Sequence, residues 1–92
     1  MKKLKKIKKK TKFLNILTVG RLSREKDIYT MVKAINEVKE KNIILRILGA
    51  GDEKEKIKSY ITKYKLQNRI FLLGLKKNPK NFYLKSDLFI NA

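Results

Sequence analysis

The chain has 92 residues, 42% of them apolar, so it can build the core of one small domain and has nothing to spare for a second. It contains no cysteine and no histidine, which excludes disulfide frameworks, thiolate metal sites, a Ser-His-Asp hydrolase and a self-contained zinc enzyme. Lys and Arg number 25 against eight Asp and Glu, and the net charge of +17 makes polyanions the first partners to weigh.

Residues 1–12 hold eight lysines and no acid, a composition that predicts a solvated, disordered tail. Leu4 and Ile7 are too few to anchor that segment in a bilayer. The apolar run from Phe13 to Val19 is interrupted by Asn15 and Thr18 and carries no small-residue cleavage site, so it does not read as a secretory leader. No stretch approaches the roughly 20 apolar residues of a spanning helix, and the expected location is cytosolic or peripheral at the inner membrane face.

Phe13 to Val19 reads instead as a buried parallel strand stopped by Gly20. From Ile28 the period changes, with Ile28, Met31, Val32, Ile35 and Val38 on one helical face, and that helix is expected to run to about Lys41-Asn42. Ile43 to Leu48 is a second strand closed by Gly49-Ala50-Gly51. The helix after it turns Ile57, Tyr60, Ile61 and Tyr64 inward, with Asp52 and Glu55 spaced as a capping box. Ile70 to Gly74 is a third strand, Asn78-Pro79 opens a short helix, and Leu88 to Ile90 begins a fourth strand. Strands alternating with helices predict an α/β fold, a Rossmann-like parallel sheet of about four strands ordered 3-2-1-4, over residues 13–92. The fourth strand would then be a bare apolar edge, so the fold reads as incomplete or as completed by a missing domain or a second chain.

Ligands of such sheets bind beyond the carboxyl ends of the strands where strand order reverses, here between the first and fourth strands. The loop from Gly20 to Lys26 and the segment Asn91-Ala92 are expected to face one another there. Gly20 lets a ligand approach the backbone, Arg21 can fork onto two phosphate oxygens, and Lys26 adds a point charge. A unit charge pair at about 4 Å is worth around 4 kcal/mol at an effective dielectric near 20, against roughly 0.3–1 kcal/mol for a helix terminus, so the side chains dominate. Composition alone also allows both to be solvated loop cations. Gly49-Ala50-Gly51 fails as a dinucleotide fingerprint, because Lys54 stands where the third glycine belongs and the motif follows the second strand. It reads either as a tight turn or as a wall of the same crevice.

The run ILTVGRLSREKD, then LRILGAGDEKEKI, NRIFLLGLKKNP and YLKSDLFINA, resembles the nucleotide-sugar-binding half of the retaining glycosyltransferases of family four, which have the GT-B fold. The resemblance spans residues 13–92 in order. It implies that Arg21 and Lys26 match the basic pair holding the donor diphosphate, with Gly20 giving it room. Gly49 and Gly51 fall at the glycine turn beside the nucleotide, and Leu75 and Lys76 fall in the loop that meets the base. The implied ligand is a nucleotide-sugar such as a UDP- or GDP-sugar, with no metal ion required, because fixed cations stabilise the charge on the leaving diphosphate. Two departures stand out: the family's glycine after the basic pair is Asp27 here, and its paired glutamates beyond the fourth strand have no counterpart. With no acceptor-binding domain either, the chain is expected to bind donor without turning it over.

The competing reading is a non-enzymatic polyanion binder acting through the lysine tail on nucleic acid or an anionic membrane surface. Nucleic acid is disfavoured, because only Arg21, Arg24, Arg46 and Arg69 are arginines and the aromatic residues are not expected to interleave with lysines as a stacking platform would. Tyr60, Tyr64 and Phe71 are expected in the core.

Overall fold

The computed structural model describes residues 13–38 and 40–91; the expected tail, residues 1–12, lies outside them. In chain order the elements are β1 (Leu14–Val19), α1 (Ile28–Glu37), β2 (Ile43–Leu48), α2 (Lys54–Lys63), β3 (Ile70–Gly74), α3 (Lys80–Lys85) and β4 (Leu88–Asn91). All pairings are parallel and the sheet order is β3-β2-β1-β4, as expected.

The register explains the core. Ile16, Leu45 and Ile70 lie on one level and Ile47 and Leu72 on the next, all on one face of the sheet. Ile28, Val32 and Ile35 of α1 and Ile57 and Ile61 of α2 close over that face, and Val32, Leu45, Ile47 and Ile57 are fully buried. Thr18 is buried on the same face, where its hydroxyl donates to the Ile90 carbonyl at 2.7 Å and ties β1 to β4. The opposite face carries Asn15, Leu17, Arg46 and Phe71, with α3 packed beside β1. There Arg46 donates to Asn15 Oδ1 at 2.8 Å, and the Asn15 main-chain N–H donates to Asp87 Oδ2 at 2.8 Å, fastening the start of β4. Among the described residues no helix is long and apolar enough to cross a membrane.

Four local expectations are corrected. Helix α1 ends at Glu37, about a turn early, and Val38 is already extended. A remote residue holds this end: Arg69, ahead of β3, is buried and donates Nη2 to the Ile35 carbonyl at 3.3 Å, which also accepts the Val38 N–H, and to the Glu40 carbonyl at 2.9 Å in the segment that follows. Asp52 and Glu55 make no capping box; α2 begins after Glu53, whose N–H donates to the Leu22 carbonyl at 2.8 Å, so a neighbouring loop caps it. Helix α3 starts one residue late, with Pro79 just outside it and no side-chain cap. Tyr64 is 45% exposed, because it lies just past the end of α2 at Lys63, where the chain turns before Leu66 re-enters the core, while Tyr60 and Phe71 are half-buried.

Candidate functional site

The first strand-to-helix connection does not leave the sheet at Val19. Parallel pairing continues past it, with the Gly20 N–H donating to the Leu48 carbonyl and the Leu22 N–H to the Ala50 carbonyl, both at 3.0 Å. Glu53 then donates back to Leu22, so residues 20–22 and 50–53 form a short ladder beyond the strand ends. Backbones approach this closely only where side chains are absent. A Cβ at Gly49, whose φ is +151°, would lie 1.8 Å from the Gly20 carbonyl oxygen, and one at Gly51 would lie 2.4 Å from that of Leu22. The glycine pair is therefore a tight turn and a crevice wall at once, the two readings that the sequence left open.

Above this ladder an open cleft of about 560 Å³ spreads over the carboxyl ends of β1 and β2. Gly20, Arg21, Gly49, Gly51, Leu75 and Lys76 line it, bringing those candidates to one place. Ala50, within the glycine turn, also lines it, and Val19, Leu48 and Pro79, which were not singled out as site residues from the sequence, complete the lining. Their signal is register: Val19 pairs with Leu48, the last rung of the β1–β2 ladder, and such rungs floor any crevice above a parallel sheet.

Among the described residues, the lining comes from the loops after β1, β2 and β3 and none from β4, so the cleft is displaced from the β1–β4 boundary toward β3; Ala92 lies outside the described residues. Lys26 is exposed on the approach to α1 and is not part of the cleft wall.

The electrostatics favour an anion with an apolar body. Arg21 and Lys76 are exposed at the rim and have no carboxylate partner among the described residues, so their charge is free for a ligand. The remaining wall is mostly apolar, with Leu75 78% exposed as if to meet a flat surface. Asp27 does not oppose this arrangement. Its carboxylate accepts the Thr30 hydroxyl at 2.5 Å, turned onto the first turn of α1, and it is absent from the cleft lining. Its φ of 58° puts it in the left-handed region, which favours glycine and which aspartate tolerates better than branched residues. Among the described residues no group of three or more acidic side chains could hold a metal ion.

Comparison with known proteins connects this geometry to a family. The profile described as "Glycosyl transferases group 1" matches residues 1–92. An uncharacterized glycosyltransferase of Methanocaldococcus jannaschii is 38% identical over 76 residues, covering 80% of this chain and 19% of the relative. The N-acetylgalactosamine-N,N'-diacetylbacillosaminyl-diphospho-undecaprenol 4-alpha-N-acetylgalactosaminyltransferase of Campylobacter jejuni is 34% identical over 91 residues, covering 99% of this chain and 24% of the relative. Among solved structures, S. aureus TarM, in a complex that contains UDP, superposes with a TM-score of 0.77 at 23% identity, over 84% of this chain and 17% of that one. The chain thus spans about a tenth to a quarter of the length of the curated relatives it matches.

Proposed function

This chain belongs to the group 1 glycosyltransferases, and we propose that its cleft binds the nucleoside diphosphate of a nucleotide-sugar whose sugar is transferred to an acceptor. The observation that carries the reading is the convergence of Arg21, the glycine-lined ladder and the apolar Leu75–Pro79 wall in one cleft at the carboxyl end of the sheet. The diphosphate lies against Arg21 and the Gly20 backbone, with Lys26 adding charge from the approach to α1. The base and ribose lie between Gly49–Gly51 and Leu75–Lys76.

This arrangement serves the chemistry. Cleaving the bond between sugar and diphosphate places negative charge on the leaving oxygens, and cations already aimed at them are worth more in the transition state than in the bound donor. Arg21 neutralises the diphosphate directly and Lys26 adds its charge at longer range, so binding is expected without a divalent ion.

The test is an amide NMR and calorimetric titration with UDP, GDP and ADP, in buffer containing a chelator. Saturable shifts at Gly20 to Lys26 and Gly49 to Gly51 with one of these nucleotides are expected. Arg21→Ala weakens that nucleotide roughly 10- to 100-fold, the loss of one charge-assisted hydrogen bond to phosphate, and Lys26→Ala weakens it less. Unchanged affinity in both variants overturns the assignment.

A further inference from the structure

The layer formed by α1 and α2 carries a row of aromatic and cationic side chains that the cleft does not use. Tyr29, on the first turn of α1, meets Tyr60 of α2 edge to face with centroids 5.5 Å apart, and Tyr60 meets Tyr64 at 4.5 Å. Lys33 Nζ and Lys56 Nζ lie 4.9 and 4.3 Å from the Tyr29 centroid, and Lys63 Nζ lies 5.5 Å from that of Tyr64. Asn36 donates to the Tyr60 hydroxyl at 3.0 Å, fixing the middle ring. Lysines and tyrosines that look scattered in sequence are therefore interleaved in space, because Tyr29 and Lys33 lie one turn apart on α1, as do Lys56 and Tyr60 on α2, with Tyr64 just past its end.

We propose that this Tyr–Lys row is a docking face for an anionic lipid surface, with the rings at headgroup depth and the ammonium groups against the lipid phosphates. Charge complementarity is the first argument. The two helices carry Lys33, Lys54, Lys56, Lys58 and Lys63 against Glu37 and Glu55, and of the row's lysines only Lys56 has a carboxylate near it, Glu53 at 3.9 Å. Ring chemistry is the second: tyrosine offers an apolar body and a polar tip, the combination that partitions to the boundary between headgroup and acyl chain.

Nucleic acid fits the row less well. Base stacking needs a free ring face, whereas Tyr29 has two ammonium groups over its ring and Tyr60 is held between Tyr29 and Tyr64. No arginine belongs to the row to supply a planar fork.

The experiment is co-sedimentation of the full chain with phosphatidylcholine vesicles, with and without phosphatidylglycerol, followed by quenching of tyrosine fluorescence with brominated lipid. Tyrosine is the intrinsic reporter because the chain has no tryptophan. Tyr83, on α3 away from the row, is first replaced by phenylalanine. Binding is expected only with phosphatidylglycerol, with quenching of the row. Replacing Lys33, Lys56 and Lys63 together by alanine lowers partitioning on the order of 100-fold, at about a fivefold loss per lysine, while circular dichroism stays that of the parent chain. Equal partitioning of the triple variant, or binding without tyrosine quenching, overturns the proposal and leaves any lipid affinity to residues 1–12. Failure to bind either vesicle, or preferential binding to a single-stranded RNA probe that the triple variant loses, overturns it as well.

Discussion

Replacing Gly49 by alanine should be among the most damaging single-methyl additions in this protein. The added Cβ would meet the Gly20 carbonyl oxygen at 1.8 Å, and because that atom is backbone it cannot swing aside. Relief requires the ends of β1 and β2 to part, which breaks the bonds from Gly20 to Leu48, from Leu22 to Ala50 and from Glu53 to Leu22. At a net 0.5–1.5 kcal/mol each these amount to roughly 1.5–4.5 kcal/mol, and forcing alanine to a φ of +151° adds roughly 1–2 kcal/mol. A chain of this length has about 5–14 kcal/mol of total stability to lose. Gly74 provides the comparison, since its φ is +77° but nothing lies within 4 Å of its Cβ position, so Gly74→Ala carries only the conformational cost. Urea unfolding followed by circular dichroism, with a slope near 1 kcal/mol/M for a protein of this size, should place the Gly49→Ala midpoint about 3 M or more below the parent. The Gly74→Ala midpoint should fall by about 1–2 M. Equal midpoints for the two variants would refute the close-approach argument.

Other perturbations probe the rest of the framework. Asp27→Gly should fold with stability within about 0.5 kcal/mol of the parent, since relief of the left-handed conformation offsets the lost Thr30 hydrogen bond. Asp27→Val should cost about 1–2 kcal/mol in the same denaturation assay, because a branched residue opposes that conformation. Asp87→Ala removes the carboxylate that accepts the Asn15 main-chain N–H and should cost about 1.5–3 kcal/mol. Hydrogen exchange should locate that loss first in β4, with α1 and α2 little affected.

What the sequence revealed and what it hid divide along the range of the interactions. Strand identity and order were legible because Ile16, Leu45, Ile47 and Ile70 sit in short apolar runs separated by helical periods, and parallel connections leave few topologies. Gly49-Ala50-Gly51 was legible as a place where chains approach closely. The end of α1 was not, because no glycine or proline marks it and the residue that holds it, Arg69, lies about thirty residues away in sequence. The start of α2 misled for the same reason: the backbone of Leu22 performs the capping that Asp52 looked placed to perform. Period alone also put Tyr64 inside, where a longer helical face was assumed and the helix in fact ends at Lys63. At the site, the loop residues were found by their chemistry, but the cleft's position over β1 and β2 depends on the β3–α3 loop folding across it, through Leu75 and Pro79, which spacing does not encode.

The Arg69 clasp also bears on the order in which the molecule assembles. Local interactions can raise the first turns of α1 early, since they need only neighbouring residues. The Ile35 carbonyl has a local donor in the Val38 N–H, but its second donor and the side-chain donor to the Glu40 carbonyl arrive only with the segment leading into β3, a closure across 34 and 29 residues. The transition state for folding should therefore contain the front of α1 without its last turn, and changes at Arg69 should accelerate unfolding far more than they slow refolding.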